Sequence, residues 1–372
     1  MNIDWSKLGF AYMQTKSHIR YVWKNGKWDG GELVSEPYLN IHIAATALHY
    51  GQDAFEGLKV FRRKDGKVCA FRPEMNARRI SASARRSCMA EVPEDLFMDA
   101  VRRVVKDNID YVPPYGTGAS LYVRPLLIGT GPQIGVNAAD EYTFIILVTP
   151  VGAYYKGGLS PVRAIIFDDF DRAAPNGTGM VKMGGNYGAA LLPHKIAHDK
   201  GFPVDLYLDA AEHKYVDEFG TSNFIAITKD GTYVTPKSHS VLPSVTNDGL
   251  QKLAAHLGMK VEVRKIPFEE IETFSEIAAC GTAVVITPVN EIVRGDKVIK
   301  VGPRDGAGPY LQKLYDNYTA IQWGEAADPF GWSVEIRQTC DRKGSRPPKG
   351  RPGAGESPNL QQRPINPSDA SL

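Results

Sequence analysis

The sequence predicts an α+β protein. Its strand-like and helix-like segments do not alternate strictly along the 372 residues, which argues against a doubly wound parallel sheet. Hairpin signals of the Asn-Gly and Asp-Gly kind recur in the first half, the mark of antiparallel pairing. The chain is 43% hydrophobic and 23% charged with a net charge of +2, an ordinary globular balance. Its length favours two domains and suffices for a large core.

The elements follow in order. "IRYVWKNGKWDGGEL" alternates apolar and polar residues and breaks at Asn25-Gly26, a two-residue hairpin. "GLKVFRRKDGKVCAFRP" repeats the device at Asp65-Gly66. Leu96, Phe97, Ala100, Val101, Val104 and Val105 recur at helical spacing. "ASLYVRPLLIGT" and "EYTFIILVTPV" are dense in β-branched and aromatic residues and read as buried strands. The Gly/Lys-rich "AYYKGGLSP" marks a domain boundary. The second half opens with the strand "VRAIIFDDF". A glycine loop and a helix through "YGAALLPHKIAHDKGF" come next, then strands at "VDLYLD", "KYVDEFG" and "NFIAIT". "TNDGLQKLAAHLGM" is a capped helix ending near Gly258, followed by the strand "KVEVRKI". "IAACGTAVVITPVNEIV" reads as strand, tight turn, strand, and "GPYLQKLYDNYTAIQWG" as a final helix. The expected division is 1–153 as a small N-terminal domain, 154–162 as a linker and 163–336 as a larger C-terminal domain. The Pro, Gly, Ser and Arg-rich remainder, 337–372, cannot bury enough apolar surface to offset its ordering entropy and is expected to be a disordered tail.

Several function classes are excluded. Cys69, Cys88, Cys280 and Cys340 are scattered without a C-x-x-C pair, so neither a disulfide framework nor a metal site is expected. The first residues lack an apolar signal core, and no stretch approaches a membrane span, so a cytoplasmic location is expected. Near-neutral charge gives no reason for nucleic acid or an anionic membrane as partner. "GTGPQIG" and "NGTGMVKMGG" are glycine-rich, but neither fits a phosphate loop or a dinucleotide fingerprint.

The second of these, continued as "GMVKMGGNYGAALL", places Lys182 just before a helix. A lone loop lysine is ordinarily a solvated surface residue. As a Schiff-base nucleophile it would need easy loss of its charge, and its natural carbonyl partner is pyridoxal 5′-phosphate. That cofactor makes further demands: an anion at the pyridine nitrogen, a donor at the ring oxygen, and a cation with backbone N–H groups at the phosphate. Glu218 ends a strand in "YVDEFGTSNF". Tyr187 follows Lys182 by five residues. Arg79 lies in "FRPEMNARRISASA". Ser244, Val245 and Thr246 precede a helix in "LPSVTNDGL", and Gly281, Thr282 and Ala283 form a tight turn. Taken singly, each is more often a surface or salt-bridge residue. Spacing alone does not bring them together.

The ordered set "LHYGQDAFEGLKVFR", "LYVRPLLIGTGPQIGV", "VTPVGAYYKGG", "VKMGGNYG", "EFGTSNFI", "LPSVTND" and "CGTAVVITPV" resembles the branched-chain amino acid aminotransferases, pyridoxal-phosphate enzymes of fold type IV. The resemblance runs from near Tyr12 to about Trp332. It implies a small N-terminal α/β domain, a larger C-terminal pseudo-barrel and a homodimer, with the cofactor between the domains. Matched position by position, Lys182 becomes the Schiff-base lysine and proton carrier. Tyr187 becomes the ring-oxygen contact and Glu218 the partner of the pyridine nitrogen. Arg79, Val245, Thr246 and Thr282 become phosphate contacts. For the substrate, it implies Tyr50, Phe55 and Tyr154 as aromatic walls, Tyr122 and Arg124 near the carboxylates, and Thr221 and Ala283 as remaining contacts. Ile134 and Val136 would reach the partner subunit's pocket. The implied reaction moves the amino group of L-leucine, L-isoleucine or L-valine to 2-oxoglutarate. A D-amino acid aminotransferase or an aminodeoxychorismate lyase of the same fold is the alternative, and a non-enzymatic ligand-binding scaffold a third. Some relatives carry C-x-x-C after the "GTA" turn. Here those positions are Val284 and Thr287, so no thiol switch is expected.

Overall fold

The computed structural model describes residues 3–152 and 159–337. Two nine-stranded sheets carry the chain. The first is built mostly from hairpins. Ser120–Gly129 and Glu141–Val151 pair antiparallel over ten positions at its centre. Leu58–Arg62, Val68–Phe71 and Ser333–Glu335 extend one edge, and His18–Lys24 and Lys27–Trp28 the other. The first hairpin turns at Asn25 (φ 53°) and Gly26 (φ 79°), the two left-handed residues that its twist requires. The short strand Asp53–Phe55 also pairs with Ser120–Gly129.

Helices Pro73–Arg86 and Glu94–Asp107 contribute to the core on this sheet. Phe97, Ala100, Val101, Val104 and Val105 form the buried stripe expected from their spacing. They join one cluster with Ile19, Val60, Leu121, Phe144 and Ile146.

The second sheet closes on itself. Val216–Phe219 pairs both with Val204–Leu208 and with Ser222–Ile227. The ring is completed by Val162–Ile166, Val285–Arg294 and Glu276–Gly281, giving a six-stranded barrel. Closure removes the free edges that an open sheet would expose. Val162–Ile166 pairs parallel with both its neighbours, while the other pairs in the ring are antiparallel. Phe219, Phe224, Ile277, Val289 and Ile292 belong to its core. Helices Val245–His256 and Pro309–Trp323 pack outside it in a cluster that also takes Phe61 and Phe71 from the first sheet.

Some elements escape the sequence patterns. Tyr233–Pro236, Lys297–Lys300 and Ser333–Glu335 are short strands. The last follows the barrel in sequence yet pairs with Val68–Phe71 of the first sheet. Most of the expected linker and the tail from Gln338 onward lie outside the described residues. Among the described residues, no helix is long and apolar enough to cross a membrane.

Candidate active site

Lys182 ends the segment leading into helix Gly184–Asp199. Its backbone is held from the first half of the chain: its N–H donates to Ser83 Oγ at 3.0 Å, and its carbonyl accepts Phe55 N–H at 3.0 Å. Its ammonium donates to Tyr187 Oη at 2.7 Å and lies 4.7 Å from the centre of the Phe55 ring. The five-residue offset brings Tyr187 back over Lys182 because the first helical turn lies between them. Glycines 184 and 185 are the first two residues of the helix. Gly184 is needed for close approach: a Cβ there would lie 2.5 Å from Asp53 Oδ2. At Gly185 a Cβ would meet only Met183 Cε at 3.9 Å.

Burial, and then the nearby Arg79 guanidinium, lower the Lys182 amine from its ordinary 10.5 to about 8. Burial also pushes the Tyr187 phenol up to about 12, with the Glu218 carboxylate adding to the effect. Lys182 is therefore readily made neutral while Tyr187 keeps its proton.

Glu218 lies in the barrel strand Val216–Phe219 and is 3% exposed. Oε1 meets Arg172 Nη2 at 2.7 Å and accepts Leu242 N–H at 3.0 Å. Oε2 accepts from Asn223 Nδ2 at 2.5 Å, which leaves lone-pair capacity on that oxygen. Burial raises the carboxyl to about 7 and outweighs the opposing pull of Arg172. Arg79 is gripped by the buried Glu56, Nε to Oε1 at 2.6 Å and Nη2 to Oε2 at 2.8 Å. Its Nη1 donates to Pro243 O at 2.9 Å. Two guanidinium hydrogens remain for another acceptor.

Lys182, Tyr187, Glu218, Arg79 and Thr282 line one cleft of about 390 Å³, together with Phe55, Tyr122, Arg124, Thr221 and Ala283. Ten of the fourteen residues to which the resemblance gives a cofactor or substrate role thus converge. Arg124 lies 5.2 Å from the ring centres of both Phe55 and Tyr122, donates to Tyr122 Oη at 3.1 Å, and has a buried Nε without a hydrogen-bond partner. Thr282 and Ala283 form the turn joining Glu276–Gly281 to Val285–Arg294. Half-buried Lys59 donates to Ala283 O at 2.7 Å, and Val285 follows at φ 65°, a strained value for a β-branched residue.

Three residues fall elsewhere, and a fourth is not among the described residues. Val245 and Thr246 open helix Val245–His256 behind the Ser244 cap and line a cavity of about 20 Å³ that shares Thr282 with the main cleft. Tyr50 does not wall this chain's own cleft. Its hydroxyl donates to Ile134 O, and it lines a separate groove with Val136. Tyr154 lies outside the described residues.

The sequence patterns missed Arg172, Glu56, Ser83 and Phe10. Phe10 lines the cleft and stands edge-on to Tyr122 with centroids 5.0 Å apart. Arg172 carries no periodic or motif signal. Glu56 sat in plain view beside Phe55, and the clue was its charge next to an otherwise buried strand. Among the described residues no cluster could hold a metal ion. Cys280 lines the cleft, and burial pushes its thiol up, away from the reactive thiolate.

Residues 53–292 match the model of the family described as amino-transferase class IV. The chain is 47% identical over 341 residues to a branched-chain-amino-acid aminotransferase of Haemophilus influenzae, covering 90% of this chain and 99% of the relative. A protein of the same description from Helicobacter pylori is 46% identical over 337 residues, covering 90% and 98%. The crystal structure of a branched-chain amino acid aminotransferase of Escherichia coli superposes with a TM-score of 0.72 at 29% identity, covering 85% of this chain and 99% of that one.

Proposed function

Since the chain belongs to the class IV aminotransferases, we propose that its cleft moves the amino group of L-leucine, L-isoleucine or L-valine onto 2-oxoglutarate, with Lys182 at the centre of the chemistry. The observation that carries this is the meeting of a lowered amine, a phenol and a buried carboxylate in one aromatic-walled cleft. Enzymes of this class depend on pyridoxal 5′-phosphate. The residues fit that group: the free capacity of Glu218 Oε2 suits a protonated ring nitrogen, and the remaining Arg79 hydrogens suit a phosphate. Thr282, Val245 and Thr246 would complete the phosphate end, and Tyr187 the ring oxygen. When bound, the cofactor supplies an aldehyde that condenses with primary amines and a ring that draws electrons from the substrate's Cα.

The protein's own part is positioning and proton transfer. Lys182 Nζ, partly neutral near pH 8, takes the proton from the substrate's Cα. Tyr187 Oη holds that nitrogen in place. Glu218 keeps a negative charge where the ring nitrogen would sit, inside a wall that excludes water. Phe55, Tyr122 and the turn at Thr282 and Ala283 line the part of the cleft assigned to the substrate, with Thr221 beside them. Burying a branched aliphatic side chain against such walls contributes about 2 kcal/mol. Arg124, which lines the cleft, receives the second carboxylate when the acidic substrate enters.

A coupled assay tests the reading. L-leucine with 2-oxoglutarate should yield glutamate and D-alanine should not; no glutamate from L-leucine, L-isoleucine or L-valine sinks it. In the same assay Arg124→Met should raise KM for 2-oxoglutarate about 10–100-fold while leaving KM for L-leucine within about threefold, the loss of one charge-assisted contact. An equal rise for both substrates would remove Arg124 from that role.

Tyr50, Ile134 and Val136 belong to the same proposal as the edge that meets a second copy. Ile134 and Val136 are 79% and 84% exposed, and Tyr50 is tied to Ile134. A homodimer would cover this apolar edge, and light scattering at the mass of one chain would rule it out. A cytoplasmic location accords with the free Cys69, Cys88 and Cys280.

A further inference from the structure

We propose that Asp53 is a positioning residue for the Lys182–Tyr187 pair, capping helix Gly184–Asp199 from a distant strand. The inference rests on the roles proposed above for Lys182 and Tyr187. That helix lacks a cap of its own. Met183 stands at its N-cap without a side-chain acceptor, and its first turn carries no acidic residue. Asp53, 131 residues away in sequence, supplies what is missing: Oδ1 accepts Gly184 N–H at 2.5 Å. A carboxylate at a helix N-terminus also meets the positive end of the helix dipole.

The contact is built rather than incidental. A Cβ on residue 184 would lie 2.5 Å from Asp53 Oδ2, too close for contact, so a side chain there would displace the carboxylate. Asp53 is fixed from behind by the register Asp53 opposite Ile128 and Phe55 opposite Leu126. Two residues further along that strand, Phe55 N–H donates to Lys182 O at 3.0 Å. One three-residue strand therefore grips the chain on both sides of Met183, while Ser83 holds Lys182 N–H. The Phe55 ring meets Tyr187 edge-on at 4.9 Å. Burial raises the Asp53 carboxyl, and the Gly184 N–H opposes the rise. The helix start sets where Tyr187 points, so loosening it moves Oη relative to Lys182 Nζ. Misplacement of a reacting group by a fraction of an ångström is costly to turnover.

The test compares Asp53→Ala, Asp53→Asn and Gly184→Ala in the cofactor-loaded enzyme. Asp53→Ala should lower kcat about tenfold, with KM for L-leucine within about twofold. Amide hydrogen exchange should quicken in the peptide covering residues 184–188 and not in the core strand Ser120–Gly129. Asp53→Asn keeps an oxygen that can accept Gly184 N–H and should restore both readouts. Gly184→Ala should reproduce the loss, and adding Asp53→Ala to it should cost little more, since both break one contact. The proposal is overturned if Asp53→Ala leaves kcat unchanged, even where exchange quickens, or if Asp53→Asn is no better than Asp53→Ala. A wild-type enzyme without transaminase activity would instead strike the proposed function, and the exchange comparison would still report on the cap.

Discussion

Lys182→Ala is expected to lower transamination by at least about 10⁴-fold, the scale of losing a group that acts directly on the reacting atoms. The fold should survive. The side chain makes its hydrogen bond to Tyr187, while the backbone bonds to Ser83 and Phe55 do not depend on it. The pH dependence of stability gives an independent check. In the cofactor-free protein the amine titrates at about 8 instead of 10.5, so between those values the unfolded chain binds a proton that the folded chain has released. Stability from this group therefore rises as pH climbs from about 8 towards 10.5. Lys182→Ala should remove that rise, which differential scanning fluorimetry at stepped pH would detect. Near wild-type turnover in the variant would end the assignment of Lys182.

What the sequence made legible follows from how local each signal is. The hairpin at Asn25-Gly26, the stripe from Phe97 to Val105 and the Ser244 cap are fixed within a few residues, and the structure has each of them. Barrel closure is not local: it rests on Val216–Phe219 pairing with two strands at once, and no single segment encodes that. The same holds for Ser333–Glu335, three residues whose strand character comes from the edge they meet.

The site divides along the same line. Lys182, Tyr187, Glu218, Arg79 and Arg124 could be named because their chemistry is explicit and their motifs resemble those of a family. The residues that hold them could not. Arg172 reaches Glu218, Glu56 grips Arg79, and Ser83 and Asp53 fix the ends of the Lys182 segment. Each acts across a long sequence separation and through a side chain whose type, taken alone, suggests a surface. Tyr50 lies apart from this chain's own cleft. It sits beside Phe55 in a familiar motif, but the short helix Thr46–Tyr50 carries it to an exposed edge while strand Asp53–Phe55 turns Phe55 into the cleft.

Glu218→Gln tests the remaining half of the chemistry. The amide is nearly isosteric and its oxygen can still accept from Asn223 or Leu242, so shape is largely kept. What goes is a negative charge buried beside Arg172, where low dielectric makes it most effective. The expected loss in kcat/KM is about 10²–10³-fold, the usual effect of removing one preorganised electrostatic contact. Cofactor affinity should weaken too, because a neutral amide no longer favours a protonated ring nitrogen. A second readout needs no cofactor. The folded carboxyl titrates at about 7 against an ordinary 4.5, so between those values the folded chain holds a proton that the unfolded chain has lost. Stability from this group falls as pH rises from about 4.5 to 7, the reverse of the Lys182 dependence. Glu218→Gln should flatten that part of the profile in the cofactor-free protein. If the variant keeps wild-type turnover, Glu218 is not the anion the reaction uses. If the profile keeps its slope, the carboxyl is not held in the unfavourable surroundings that give it its role.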